Sequence, residues 1–135
     1  MKTKRYKLNI VGANCEFFLL FFDDFESMHK YFKRKIPDFY DDEIRAACLA
    51  HYKKRHIVIC LYAGECNEYI IGHEAFHAAL YYMKMNKKWY RKEAWLKVRE
   101  LWSTGSKHEE EMADVCGTVI SAIKTKLNAN FIIKE

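Results

Sequence analysis

One stretch decides the fold class: residues 66–85 read CNEYIIGHEAFHAALYYMKM. Within this stretch, His73 and His77 are four residues apart, so on an α-helix they lie on one face about one turn from each other. Around these two histidines, apolar residues occupy nearly all sides of the helix, which is typical of a helix at the centre of a domain. The sequence therefore predicts a buried helix that opens at Cys66 or Asn67 and runs to about Met85.

The same helix carries the side chains of a metal site. Two imidazoles on one helical turn can bind one zinc ion, each at roughly 2.0–2.1 Å. Glu74 follows the first histidine and can reach a metal-bound water without taking a coordination position, which suits a general base. The alternative is a buried helix whose histidines are satisfied by hydrogen bonds alone, although polar side chains cost free energy in a core. We predict a Zn²⁺ ion bound by His73 and His77, with Glu74 as the catalytic residue.

A third zinc ligand must come from another part of the chain, because a catalytic zinc usually takes three protein ligands and keeps one position for water. Residues 109–114 read EEEMAD. Glu110 and Asp114 are four residues apart and share a helical face with Ala113 and Gly117. We predict Glu110 as the third ligand. Asp114 is predicted to accept a hydrogen bond from the far nitrogen of a ligating histidine. Small residues on this face would let the later helix approach the motif helix closely.

Other assignments of this acidic segment stay open. Glu109, Glu111, His108 or Asp114 could supply the ligand instead of Glu110. Three consecutive glutamates also suit the first turn of a helix, where negative charge is favourable against the helix dipole.

The order His73-Glu74-x-x-His77, then Glu110-x-x-Ala113-Asp114, resembles the gluzincin zinc peptidases. The resemblance implies that the later glutamate is the third ligand and that the aspartate orients a histidine. It also implies a small antiparallel sheet ahead of the active helix, and pairing of an extended substrate with the strand at residues 55–62. In size the chain is similar to small single-domain gluzincin-like proteins of phages and bacteria. The likeness spans roughly residues 1–127, but only the two motifs are specific.

The family commonly supplies a histidine or tyrosine that stabilises the oxyanion. The sequence does not choose among the candidates, which are His56, Tyr81, Tyr82, Tyr90 and His108.

The remaining pattern predicts an α+β fold, with a small antiparallel sheet of three or four strands packed against about four helices. Alternation predicts a strand at residues 6–10 that forms a hairpin with residues 16–22. Asp23 and Glu26 predict a capping box for a helix that ends before Pro37. Residues 41–51 suit either a helix or, over residues 44–51, a strand paired with residues 55–62, and we favour the strand. Two further helices are predicted at residues 89–102 and 107–127, and His29 and His51 are predicted to lie at the surface.

Composition sets the remaining bounds. A chain of 135 residues fits one domain spanning residues 1–135. Five scattered cysteines without a Cys-x-x-Cys pair indicate free thiols in a reducing compartment. The apolar run at residues 17–22 is too short to cross a membrane. We expect a cytoplasmic protein, in the host cytoplasm if a phage encodes it. The formal charge of +5 admits nucleic acid as a partner, but no nucleic-acid-binding motif accompanies it.

These observations favour a zinc-dependent peptidase that acts on a peptide or protein substrate. The alternative is a zinc-containing regulatory or binding module without efficient hydrolysis. Such a module could be encoded by a phage and act on a host protein or nucleic acid.

Overall fold

The structure is a computed structural model that describes residues 3–86 and 107–129, with only the backbone at residues 39, 107–109 and 129. The predicted α+β class is confirmed. The described residues form four strands and three α-helices: β1 Thr3–Leu8, β2 Glu16–Phe22, α1 Phe25–Lys35, β3 Ala47–His51, β4 His56–Tyr62, α2 Glu68–Met85 and α3 Lys107–Ala129. The predicted helix at residues 89–102 lies outside the described residues. No helix within residues 3–86 and 107–129 is long and apolar enough to cross a membrane.

The sheet is mixed, so the predicted antiparallel sheet is wrong. Its strand order is β1-β2-β4-β3. The two predicted hairpins, β1–β2 and β3–β4, are antiparallel, and residues 47–51 form a strand as favoured. The central pair β2–β4 is parallel, with Glu16 opposite His56 and Phe22 opposite Tyr62. Both central strands are nearly continuous apolar runs, which is typical of strands buried on both faces, and α1 and β3 provide the long connection that parallel pairing requires.

The interior position of β4 also corrects the expectation that residues 55–62 pair with a substrate. This strand is hydrogen-bonded to β2 on one side and to β3 on the other. Its backbone therefore has no open edge for a peptide. Among the strands that the structure describes, β3 forms the edge of the sheet on that side.

The two faces of the sheet support different helices, because successive side chains of a strand point to opposite faces. One face packs with α2 and α3 through Phe17, Leu19, Ile57, Ile59 and Leu61. The other face packs with α1 through Leu20, Phe22, Cys60 and Tyr62. α2 and α3 therefore share one core, and α1 belongs to a separate, smaller core.

The start of α1 differs from the predicted capping box by one residue. The Asp24 carboxylate, rather than that of Asp23, accepts a 2.7 Å hydrogen bond from the Ser27 amide. Since Asp23 and Asp24 are adjacent and equally suited to an N-cap, only the path of the chain leaving β2 decides between them.

His29, predicted at the surface, is buried with 5% exposure. Its Nε2 lies 2.7 Å from the Ile44 carbonyl oxygen and its Nδ1 lies 2.8 Å from the Tyr40 hydroxyl. His51 is exposed, as predicted. His29 therefore holds the connection after α1 in place, a role that depends on residues distant in sequence.

All five cysteines are free thiols, in agreement with the predicted absence of a disulfide framework. Cys48 and Cys60 are buried in the sheet, and the other three are half-buried.

Arg55 connects the two hairpin turns to the end of α2. Its guanidinium donates to the Asn14 carbonyl (3.1 Å), to the Asn14 side-chain oxygen (2.8 Å) and to the Asn86 side-chain oxygen (3.0 Å). A longer bond of 3.5 Å reaches the Met85 carbonyl at the C-terminus of α2, where positive charge is favourable. These bonds outweigh the strain of the left-handed backbone of Arg55, whose φ is 57°.

Replacing Arg55 tests this connection. We expect Arg55→Ala to lower the free energy of unfolding by about 2 kcal/mol or more, because several charge-assisted hydrogen bonds are lost and their acceptors are left unpaired. Arg55→Gly should be about 1 kcal/mol more stable than Arg55→Ala, since glycine adopts a positive φ without strain. Urea unfolding measures both values.

Arg45→Ala is the matched control. Arg45 makes an exposed 3.0 Å ion pair with Glu65, and its removal should leave the unfolding curve close to that of the original protein. Equal losses for the Arg45 and Arg55 variants would contradict a structural role specific to Arg55.

Candidate metal centre

α2 forms as the sequence predicts, and small side chains face its core side. The Asn67 side chain caps the helix by accepting a 2.9 Å hydrogen bond from the Ile70 amide. Ala75, Ala78 and Ala79 are fully buried, which lets the helix lie close to its neighbours. With these alanines turned towards the core, His73 is exposed and His77 is half-buried.

The two imidazoles converge through the same ring nitrogen. The Nε2 atoms of His73 and His77 are 3.3 Å apart. Two nitrogens bound to one tetrahedral zinc at about 2.0–2.1 Å lie about 3.3–3.4 Å from each other, so this spacing matches that of a chelating pair. The same distance also permits a hydrogen bond between the rings when one Nε2 carries a proton. Burial, then the charges of His73 and Lys84, lower the pKa of His77 and favour the neutral form that binds metals.

Glu74 lies on a different side of α2 and is covered, with 4% exposure. This burial raises the pKa of its carboxyl group from 4.5 to about 7. Its negative charge also acts on Cys48 and Cys60, whose thiol pKa values are raised first by their own burial. The carboxyl group therefore lies near the sheet, in an environment that suits exchange of a proton at neutral pH.

Aromatic side chains of α2 lie next to both histidines. The Tyr69 ring stacks on His73 with 6.1 Å between centroids, and the Tyr81 ring stacks on His77 at 6.5 Å. Phe76 also contacts His77 edge-on at 6.3 Å and is 47% exposed. The spacing of four residues from 69 to 81 placed these rings on one line, a signal that the sequence analysis did not use.

α3 packs against the same core, but not through the predicted small residues. Its buried side chains are Val119, Ile123 and Leu127. Lys124 Nζ lies 2.9 Å from Glu68 Oε1, which links α3 to the first turn of α2. A Cβ atom at Gly117 would meet nothing within 4 Å, so the prediction that this glycine permits a close helix approach is wrong. The apolar stripe of α3, rather than its small residues, determines which face turns inward.

Glu110 and Asp114 lie on α3 and are exposed, as are Ala113 and Gly117. The four residues share one stripe, as predicted. Within the part of the chain that the structure describes, no three histidine, cysteine, aspartate or glutamate side chains form a group that could hold a metal ion. The structure thus brings His73 and His77 together, places Glu74 on a different, buried side of α2, and does not bring Glu110 into a group with the histidines. The side chains of His108 and Glu109 lie outside the described part.

The candidates for an oxyanion donor occupy different places. His56 lies on the face of the sheet away from α2, 3.5 Å from Glu16, and Tyr82 is buried against Phe17. Tyr90 and the side chain of His108 lie outside the described residues. Tyr81 lies beside His77, and burial, then the charges of Cys48, Tyr52 and Glu74, raise the pKa of its hydroxyl. Tyr81 is therefore a neutral donor next to the histidine pair at neutral pH.

A scan against protein-family models, a search of the curated proteins and a search of the solved structures each found no match to this chain.

The buried carboxyl group of Glu74 predicts a pH-dependent stability of the metal-free protein. The pKa of Glu74 is about 7 in the folded protein and 4.5 as the ordinary value that applies to the unfolded chain. Well below pH 4.5 the carboxyl group is protonated in both states and costs no stability. Above pH 7 it is ionised in both states, and the cost of burying the charge lowers the free energy of unfolding in full. Relative to Glu74→Gln, the original protein should lose about 3 kcal/mol of unfolding free energy as the pH rises from 4.5 to 7.5. Urea unfolding in the presence of a chelator, at several pH values, measures this difference.

Glu68→Gln is the control on the same helix, because Glu68 is exposed and paired with Lys124. The difference in unfolding free energy between Glu68→Gln and the original protein should not change in this way between pH 4.5 and 7.5. If the difference in unfolding free energy between Glu74→Gln and the original protein does not change with pH, the raised pKa of Glu74 is contradicted.

Proposed function

We propose that this protein is a zinc-dependent peptidase in which His73 and His77 bind the metal and Glu74 acts as general base. One observation carries the proposal: the two Nε2 atoms converge at 3.3 Å on the outer side of a helix whose intervening glutamate is buried. Imidazole nitrogens are preferred zinc ligands, and a carboxyl group with a pKa near 7 can both accept and release a proton at neutral pH.

Glu110 is the proposed third ligand and Asp114 the proposed hydrogen-bond partner of a ligating histidine. Both carboxylates lie on the exposed stripe of α3, and α3 shares a core with α2. Carboxylate oxygens complete catalytic zinc sites of two histidines, and binding of a cation can supply the free energy that draws an exposed glutamate inward. In this zincin-like arrangement α2 is the active-site helix and α3 is the glutamate helix. Glu109, Glu111 and His108 are the competing ligands.

The reaction is hydrolysis of a peptide bond. Zinc, when bound, polarises the scissile carbonyl group and lowers the pKa of a coordinated water towards about 7. The Glu74 carboxylate accepts a proton from the attacking water and delivers it to the leaving amine. The Tyr81 hydroxyl, which stays protonated at neutral pH, donates a hydrogen bond to the developing oxyanion.

An extended peptide is the proposed substrate, and β3 is the proposed strand that pairs with it. β3 forms a sheet edge and packs with α2 in the same core. A peptide added to an edge strand gains backbone hydrogen bonds in a regular register. The exposed rings of Tyr69 and Phe76 provide apolar contacts for its side chains.

The central test is Glu74→Gln. The variant should bind zinc as the original protein does and should lose hydrolysis by at least about a hundredfold, because it lacks the proton acceptor. Zinc content by mass spectrometry and a proteome-wide cleavage profile measure the two properties. Tyr81→Phe should also retain zinc and should lower the rate by about tenfold or more.

His73→Ala and His77→Ala should lose both zinc and activity. His51→Ala should retain both, because the alternation of β3 places the His51 side chain on the same face of the sheet as Leu49, away from α2. Zinc binding without cleavage by the original protein would favour the regulatory or binding module instead. A protein that takes up no zinc when zinc is supplied would contradict both functions.

A second test identifies the third ligand. Glu110→Gln should weaken zinc binding by at least about a hundredfold, and Asp114→Asn by about 10–100-fold, as expected for a ligand and its supporting partner. Competition with a chromophoric chelator measures each dissociation constant. Glu111→Gln is the matched control within the acidic segment and should bind zinc like the original protein. A larger effect at Glu111 than at Glu110 would reassign the ligand.

A further inference from the structure

A cavity of about 460 Å³ lies on the face of the sheet opposite α2. Its floor is aliphatic and comes from three neighbouring strands: Leu20 of β2, Val58 of β4 and Leu49 of β3. Tyr31 and Ile36 form a wall where α1 ends. A cavity of this volume is within the range of small-molecule sites.

The cavity exists because α1 covers only part of this face. Met28 and Phe32 of α1 pack over Phe22, Cys60 and Tyr62, at the ends of the central strands. α1 then stops at Lys35, so Val58 and its partner Leu49 pack against this cluster from one side and stay partly exposed. The floor is therefore only half-buried.

Cationic side chains from separate elements surround this apolar floor. Arg5 lies on β1, Lys35 at the end of α1 and Lys54 in the β3–β4 turn, and His51 and His56 also line the cavity. None of the described residues that line the cavity carries a carboxylate. Glu16, the acidic residue nearest in the register, is shared between Lys7 at 3.9 Å and His56 at 3.5 Å. The rim therefore carries the permanent positive charges of Arg5, Lys35 and Lys54, and no carboxylate among the described lining residues neutralises them.

Arg5 is held in place on this rim. Its guanidinium lies 4.2 Å from the centroid of the Phe18 ring, which restricts the side chain through a cation–π contact. Arg5 and Arg34 both oppose the burial-driven rise in the pKa of Tyr31, so both positive charges act on the wall of the cavity. A partly ordered guanidinium loses less freedom when it binds an anion than a free one does.

We infer that this cavity binds a small organic phosphate, in which a phosphate monoester is carried on a body that contains a flat ring system. The floor accepts the body, and Arg5, Lys35 and Lys54 accept the phosphate. A phosphate monoester carries a charge of about −1.5 to −2 at pH 7, which matches this rim better than the single charge of a carboxylate. The cavity and the histidine pair lie on opposite faces of the sheet, so this inference is independent of the proposed peptidase activity.

Adenosine 5′-monophosphate is the probe that tests it. Isothermal titration of the full chain should give one site with a dissociation constant below about 1 mM. Adenosine and inorganic phosphate should each bind at least about tenfold more weakly, because each lacks one half of the interaction. In two-dimensional NMR spectra the probe should shift the amide signals of Leu49 and Val58.

Variants of the rim locate the site. Arg5→Gln and Lys54→Gln should each weaken binding of the probe by at least about fivefold. Lys53→Gln is the matched control, because Lys53 is the exposed neighbour of Lys54 and does not line the cavity. Its affinity should stay within about twofold of the original.

Three results would overturn the inference: no binding up to several millimolar, equal losses at Lys53 and Lys54, or equal affinity for inorganic phosphate alone. If a 5′-phosphorylated trinucleotide binds more tightly than the monophosphate, the ligand is the phosphorylated end of a nucleic acid and the inference of a small molecule is wrong. Thermal unfolding of each variant confirms that the compared proteins are folded.

Discussion

The parallel pairing of β2 with β4 is the contact on which the remaining structure depends. The two strands run side by side over seven residues each, from Glu16 opposite His56 to Phe22 opposite Tyr62. Because they share one direction and one register, their alternating side chains form two continuous apolar faces. One face can then hold α2 and α3, and the other can hold α1. The hairpin partners β1 and β3 extend this central pair to four strands.

The position of α2 on that sheet gives each side chain of its motif a different environment. Ala75, Ala78 and Ala79 face the core, which brings the helix close to its neighbours. Successive residues of a helix are rotated by about 100°, so the same orientation places Glu74 under cover and the two histidines outward. Arg55 holds the C-terminal end of α2 to both hairpin turns. The packing of the helix therefore determines the chemistry that its side chains can support.

Local pattern predicted the helices and hairpins well where periodicity was strong. α3 follows apolar spacing at helical period, α2 is apolar on nearly every side around its histidine motif, and β2 is a continuous apolar run. Each was therefore found close to its observed bounds. The pairing between hairpins was not predictable in the same way, since parallel and antiparallel arrangements bury the same residues of β2 and β4. The single-residue error at Asp23 and the burial of His29 have the same origin, because both depend on where the chain runs after a strand or helix ends.

The sequence by itself determined that His73 and His77 lie on one helical face, because a spacing of four residues implies this for any α-helix. It also determined that Glu110 and Asp114 share a stripe of α3. Only the tertiary structure decided which of these groups are covered, since burial depends on the elements packed around each helix. The same reason applies to the basic cavity, whose side chains come from strands, a helix and a turn that are far apart in the chain and meet only when the sheet has formed.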